Sequence, residues 1–317
     1  MPSGKLDPQV EAFLQELEDL NAPPLEALTP EEARLNNIKT KQRLGGVSES
    51  VAKVEDHQVP TDEVNIPIRI YTPEGEAPFP VFVFFHGGGW VTGDLDTHDA
   101  LCRSLCNAVP CMVVAVDYRL APEHKFPAAV EDAMAATRWV FDHIESFGGH
   151  PEKVAIGGDS AGGTLATVVA QHLEGIIYQV LIYPVIDLSN LDTNSYLSFA
   201  DGYLLTRNGM AWFRDHYLKD AADGTHPDAS PLLIEDLSKQ PSALIITAEF
   251  DPLLDEAEAY AKRLKESGVS VDYVCFDGMI HAFMTLAVVI DRARDGIELC
   301  AKSLQKAFVG EFSISSD

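Results

Sequence analysis

Hydrophobic positions along the chain change rhythm near residue 51. Before that point they recur at helical spacing, with Val10, Phe13, Leu14, Leu17 and Leu20 on one face. Asp7-Pro8 supplies an N-cap and a first-turn proline, so a helix starts there. Asn21-Ala22-Pro23-Pro24 stops it, and Thr29-Pro30-Glu31-Glu32 opens a second helix with a capping box.

Beyond residue 51, strand-like and helix-like segments alternate. The strand patterns fall at 51–59 and 65–72, which suit a hairpin, and then at 81–85, 111–117, 154–157, 179–183, 243–248 and 271–276. Several are unbroken apolar runs, as in parallel strands covered on both faces. Helical patterns lie between them at 97–108, 128–145, 161–173, 253–266 and 291–307. This alternation predicts an α/β fold with a mostly parallel sheet flanked by helices. Reactive groups in such a sheet gather beyond the carboxyl ends of the strands. Residues 187–240 interrupt the rhythm: they contain no core strand pattern but carry a helix at 207–217 with Met210, Trp212, Phe213 and Tyr217. This insertion is expected to emerge at the reactive edge and to form a lid with the N-terminal helices. The link between the 161–173 helix and the next strand is short, only Glu174-Gly175. Either the helix ends early there or the strand begins differently.

Composition narrows the possibilities. The chain has 317 residues, 46% hydrophobic and 23% charged, which excludes a disordered tail, a collagen and a small disulfide scaffold. Lys and Arg number 23 against 49 Asp and Glu, a net charge of −26. No basic cluster is present, so nucleic acids, anionic membranes and polyanionic substrates are disfavoured; the excess acid favours solubility. The apolar run at 80–85 ends at His86, far short of a membrane helix. Cys102, Cys106, Cys111, Cys275 and Cys300 follow neither a disulfide framework nor zinc-site spacing. The N-terminal stretch lacks a signal-peptide core. The expectation is a soluble, reduced, cytoplasmic protein.

The strongest chemical signal is Gly157-Gly158-Asp159-Ser160-Ala161-Gly162-Gly163, which contains G-x-S-x-G between a strand pattern and a helix pattern. A serine on so sharp a turn is pushed out at the strand end, with a helix N-terminus beneath the developing charge. A serine hydroxyl needs a base to become a nucleophile. Of ten histidines, His281 is the best placed, because it follows the 271–276 strand through Asp277-Gly278-Met279-Ile280. His143, His150, His172 and His216 fall on or near helices and are expected to be exposed. The base in turn needs an acid to orient it. Asp251 follows the 243–248 strand through Glu249-Phe250, and Ser160, Asp251, His281 is the chain order of α/β-hydrolases. Glu249 and Asp187 are weaker candidates, and Asp255 is expected to point away. Acyl transfer also requires backbone donors for the oxyanion. His86-Gly87-Gly88-Gly89-Trp90 follows a strand and supplies them, with Gly88, Gly89 and the amide of Ala161 as the expected donors. No GxxxxGK[ST] pattern argues for a phosphate cradle instead.

Taken together, His86 to Trp90, the 116–124 and 126–129 segments, Gly158 to Gly163, Asp251-Pro252-Leu253 and Gly278-x-x-His281-x-Phe283 resemble the bacterial hormone-sensitive-lipase-like carboxylesterases of the α/β-hydrolase superfamily. The resemblance covers nearly the whole chain. It implies an eight-stranded sheet and a helical cap built from residues 1–50 and 187–225 on a catalytic domain of 51–186 and 226–317. It also implies the same Ser160, Asp251 and His281 triad and the same oxyanion donors. The stretch around Tyr118 to Pro127 is expected to be structural, with buried polar contacts behind the elbow. The activity implied is a serine esterase without cofactor or metal, acting on small esters of short to medium acyl chain. Trp90, Met210 and Phe213 are the expected pocket walls. The partner expected is the ester alone, with no nucleic acid or membrane, for a monomer or homodimer. The plant gibberellin receptors resemble the same family but lack the catalytic histidine, which is present here. An aspartate nucleophile, as in epoxide hydrolases, is disfavoured by the serine at the elbow.

Overall fold

The computed structural model describes residues 4–311. Helices α1 (Pro8–Asp19) and α2 (Pro30–Leu44) lead the chain. Asp7 caps α1 by accepting from the Gln9 N–H at 2.8 Å, and Thr29 and Glu32 cap α2 reciprocally. Val10 and Phe13 of α1 are buried, whereas Leu20 at its end is exposed. The alternating region then runs β1 (Lys53–Pro60), β2 (Asn65–Thr72), β3 (Phe79–Phe85), α3 (Asp99–Ala108), β4 (Met112–Val116), α4 (Ala128–His143), β5 (Gly149–Asp159), α5 (Ala161–His172) and β6 (Ile176–Ile182). Two helices without an intervening strand follow, α6 (Asn194–Ser198) and α7 (Arg207–Tyr217). The chain closes with β7 (Ala243–Phe250), α8 (Leu254–Glu266), β8 (Val271–Ile280) and α9 (Arg292–Val309).

The strands form one eight-stranded sheet in the order β1-β2-β4-β3-β5-β6-β7-β8. β1 and β2 make the expected antiparallel hairpin, β2 pairs antiparallel with β4, and all pairs from β4 to β8 are parallel. Successive β3 side chains serve opposite cores: Val81, Val83 and Phe85 pack on one face, Phe82 and Phe84 on the other. Helices α4, α5 and α8 cover the first face, and α3 and α9 cover the second. Each fully buried aliphatic or phenyl side chain contributes roughly 1.5–3 kcal/mol of transfer free energy, so β3 is among the firmest supports available to a loop. The chain leaves β3 toward β4 on one side, and α4 then carries it back across to β5 on the other. That reversal opens a crevice outside the carboxyl ends of β3 and β5.

Several boundaries differ from the sequence expectation. β6 begins at Ile176, three residues early, and its pairing with β5 shifts register near Val154. The short Glu174-Gly175 link is accommodated by the positive φ of Gly175. β7 reaches Phe250 and β8 reaches Ile280, so segments expected as loops are strand. Their extra length comes from continued pairing past a bulge, which a scan for apolar runs does not register because Glu249, Asp277 and Gly278 break the run. The first three residues, and the last six of the 226–317 segment, lie outside the described residues. No described helix is long and apolar enough to cross a membrane.

Candidate active site

Ser160 is the single residue between β5 and α5. Its backbone has φ 54° and ψ −118°, a conformation L-residues rarely adopt. Two backbone bonds hold it there: the Ser160 N–H donates to Ile182 O at 2.9 Å, and its own carbonyl accepts from the Val185 N–H at 3.2 Å. A Cβ on Gly162 would lie 1.9 Å from the Phe85 carbonyl oxygen, so the helix approaches β3 this closely only with glycine there. The serine is 8% exposed.

Strand register brings the next two residues together. β7 pairs with β8 as far as Phe250 opposite Ile280. Asp251 and His281 therefore leave adjacent strands side by side. The Asp251 Oδ2 lies 2.7 Å from His281 Nδ1, and His281 Nε2 lies 3.0 Å from Ser160 Oγ. Asp251 Oδ1 also accepts the Leu253 N–H at 2.9 Å, which fixes the carboxylate plane. The Tyr183 ring packs 4.8 Å from the imidazole. A carboxylate, an imidazole and a hydroxyl in this line suit proton abstraction from the hydroxyl, with the resulting imidazolium stabilised by the acid.

The alternative acids are engaged elsewhere. Glu249 accepts from the N–H groups of Gly278 and Gly4, each at 2.9 Å, tying β8 and the N-terminal segment together. Asp187 accepts from the Ser189 N–H and hydroxyl. Asp255 accepts from the Ser195 N–H at 2.9 Å. Glu256 was not anticipated. Its fully buried carboxyl accepts from the N–H groups of Ile186 and Asp187 at 2.7 and 3.3 Å, and burial pushes its pKa well up. It braces the segment that follows β6, whose Val185 contacts the elbow.

The glycine loop after β3 faces the serine. Gly88 and Gly89 have φ of 124° and 60°, and neither N–H has an acceptor among the described residues. The Gly88 carbonyl accepts from the N–H groups of Val91 and Thr92, so the loop folds as a tight turn. Ala161 opens α5, where the first N–H groups have no intrahelical partner. Gly88 and Gly89 line the same cavity as Ser160, and Ala161 follows the serine directly at the buried start of α5.

Behind the loop lies a buried polar cluster that sequence reading found only in part. Asp159 Oδ1 accepts the Gly87 N–H at 2.8 Å, and its carboxylate lies 3.3 Å from His98 Nε2. His98 Nδ1 is 3.0 Å from Thr97 Oγ1. Burial by itself raises the Asp159 pKa, but His98, Lys41 and the Gly87 N–H outweigh it and bring the carboxyl to about 2. The Tyr118 hydroxyl donates to His86 O at 2.7 Å and its ring stacks on the His86 ring, the structural contact expected behind the elbow. Burial, with His98 close by, lowers His86 to about 4. Asp159 stood in the recognised motif, but His98 carried no signal beyond its polarity.

A cavity of about 330 Å³ opens above Ser160, His281, Gly88 and Gly89. Met210 and Phe213 of α7 line it, and so do Phe13 and Leu17 of α1 and Leu25 and Leu28 of the link to α2. Trp90 does not, which corrects the expectation that it walls the pocket. It is fully buried beneath the loop, with its ring stacked 4.2 Å from Tyr217 at 7°. The positive φ of Trp90, 59°, turns it away from the cleft, and sequence position alone gives no sign of that turn. Polar residues of α2, including Asn37, Thr40 and Lys41, also reach the cavity and were not anticipated.

Comparison with known proteins agrees with this fold. Residues 82–285 match the family model described as the alpha/beta hydrolase fold. The carboxylic ester hydrolase LipN of Mycobacterium tuberculosis is 47% identical over 244 residues, covering 74% of this chain and 65% of that protein. The ethyl acetate hydrolase of Pseudomonas putida is 35% identical over 95% of this chain and 99% of its own. Among solved structures, an ester hydrolase from the metagenome of Lake Arreo superposes with a TM-score of 0.93 at 36% identity, covering 96% of this chain and 99% of that one. A hyperthermophilic esterase from Pyrobaculum calidifontis gives 0.91 at 39% identity over 96% of this chain and 99% of that one. With the sheet order, the elbow and the family match in agreement, the chain belongs to the alpha/beta hydrolase fold family, in its hormone-sensitive-lipase-like branch.

Proposed function

We propose that this protein is a serine carboxylesterase that hydrolyses esters of short to medium acyl chain through an acyl-enzyme intermediate. The observation that carries this reading is the unbroken line Asp251–His281–Ser160, with contacts of 2.7 and 3.0 Å, opening into a cavity beside the N–H groups of Gly88 and Gly89, which have no acceptor among the described residues. His281 takes the proton as Ser160 Oγ attacks the ester carbonyl, and Asp251 holds the imidazole. Gly88, Gly89 and Ala161 donate to the oxyanion. The alcohol leaves with the proton from His281, and water then releases the acid by the same route. Residues 1–50 and 187–225 act as the cap over this site, on a catalytic domain of 51–186 and 226–317. A cavity near the small end of the usual range for ligand pockets, and a relative named for ethyl acetate, both support a small substrate. The protein acts in the cytoplasm as a monomer or homodimer, without cofactor or metal.

The test is hydrolysis of p-nitrophenyl esters from acetate to palmitate by wild type, Ser160→Ala and Asp251→Asn. Turnover is expected to peak at short or medium chains and to fall by about 10⁴-fold or more in either variant. Absence of turnover on every ester by folded wild-type protein overturns the reading.

A further inference from the structure

The cap helix α2 turns an unexpected face to the cavity. A cap that covered only an alkyl chain would present apolar residues, as α1 and α7 do with Phe13, Leu17, Met210 and Phe213. Instead α2 places Asn37, Thr40 and Lys41 on the cavity wall, three and four residues apart and so on one side of the helix. Lys41 is the cavity's sole lysine or arginine among the described residues.

These groups are poorly satisfied by the protein. The Lys41 ammonium has three N–H donors. One reaches Thr285 Oγ1, in the segment following His281. No carboxylate among the described residues lies within ion-pair distance of it. Asp159 acts on Lys41 only from beyond contact, and that carboxylate is already committed to the Gly87 N–H and His98. One helical turn away, the buried Asn37 Oδ1 has no partner among the described residues. Removing an ammonium from water without a counter-charge is costly, and burial pulls Lys41 down to about 8. A chain of net charge −26 repels anions at long range. A single cation inside the substrate cavity supplies the local attraction such a ligand would need.

We infer that the cavity recognises monoanionic esters, in which a carboxylate at the end remote from the scissile carbonyl pairs with Lys41, assisted by Asn37 and Thr40. This rests on the esterase reading and specifies its substrate class as half-esters of short dicarboxylic acids. The reaction is unchanged. The acyl C–O bond breaks, the alcohol leaves with a proton, and water completes the second carboxylic acid; the remote carboxylate takes no part in bond changes.

The experiment compares the monoethyl esters of malonic, succinic, glutaric and adipic acids with neutral ethyl esters of matching length, followed by ethanol release at neutral pH. Wild type, Lys41→Met and Lys41→Gln are assayed. At the chain length that spans the cavity, the ratio of kcat/KM for half-ester over neutral ester is expected to be at least about tenfold higher in wild type than in either variant, expressed mainly in KM. Equal ratios in all three proteins at every length, with neutral esters still hydrolysed, overturn the inference and leave the esterase intact. Failure of folded wild type on neutral and half-esters alike removes the esterase reading itself. If the methionine variant does not fold, the glutamine variant decides. If neither folds, a wild type that prefers the neutral ester by a constant factor at all lengths refutes the inference, and a preference reversed at one length upholds it.

Discussion

Asp159 Oδ1 accepts the Gly87 N–H at 2.8 Å, so the residue before the elbow serine also holds the glycine loop that faces it. One buried carboxylate thus ties the serine turn to the glycine loop, and it is in turn held by His98. A rigid link of this kind suits the proposed oxyanion donors, which must face the developing charge without reorganisation during the reaction.

That link has a pH signature. The Asp159 carboxyl is brought to about 2 in the folded protein, against about 3.9 for an unfolded aspartate. Its folded pKa is depressed, so its contribution to stability is complete above about pH 4 and is lost as pH falls toward about 2. Asp159→Asn keeps an acceptor for Gly87 but removes the charge. Urea unfolding from pH 5 down to 2.5 should show a shallower acid loss in the variant, and parallel slopes would contradict the assignment.

The two glycines of the loop should differ in how they respond to a methyl group. A Cβ on Gly89 meets Phe213 Cδ1 at 2.2 Å, whereas one on Gly88 meets the Thr92 carbonyl oxygen at 2.1 Å. Gly88→Ala keeps the N–H but displaces it, and should lower kcat by about 10²- to 10³-fold, the range seen when an oxyanion donor is lost. Gly89→Ala should be partly rescued by Phe213→Ala, because its obstacle is a side chain. Gly88→Ala has no such partner, and steady-state kinetics of the single and double variants check the contrast.

Glu256 gives the opposite pH trend from Asp159. Burial raises its folded pKa well above that of a free glutamate. Its stabilising share is therefore full below about pH 4.3 and declines as pH rises toward the folded value. Glu256→Gln retains the acceptor for Ile186 and Asp187 without the need to bind a proton. The melting temperature of the variant relative to wild type should rise between pH 5 and pH 8. Glu256→Ala leaves two buried N–H groups unpaired and should lose about 2–5 kcal/mol at either pH.

Trp90 and Phe213 separate stability from specificity. Trp90→Ala empties a fully buried ring site stacked on Tyr217 and should cost about 3–5 kcal/mol in denaturant unfolding. Its acyl-length preference should stay near that of wild type. Phe213→Ala enlarges the cavity itself and should move the optimum toward longer acyl chains with a smaller stability loss. A shifted optimum in the Trp90 variant would restore that residue to the pocket wall.

The chain's local signals carried the fold class and the elements. Alternation of apolar strands with amphipathic helices is written in side-chain type, and the Thr29–Glu32 capping box is local chemistry that survives unchanged into the structure. The elbow was legible for the same reason: glycines are required wherever helix and strand backbones approach too closely for a Cβ. Ser160, Asp251 and His281 could be proposed together because each follows a recognisable strand.

Contact between those three is another matter. Asp251 meets His281 because β7 and β8 pair on to Phe250 and Ile280, and pairing register is a property of two segments that no local pattern encodes. The positive φ that turns Trp90 under the loop belongs to the assembled turn. Neither Lys41 nor His98 stands in any of the sequence motifs. Only helix packing over the sheet brings His98 into contact with Asp159 and Lys41 within reach of its charge, where burial lowers the Lys41 pKa. Periodicity reports which face of an element is apolar, but a polar residue acquires its role from the neighbours that folding supplies.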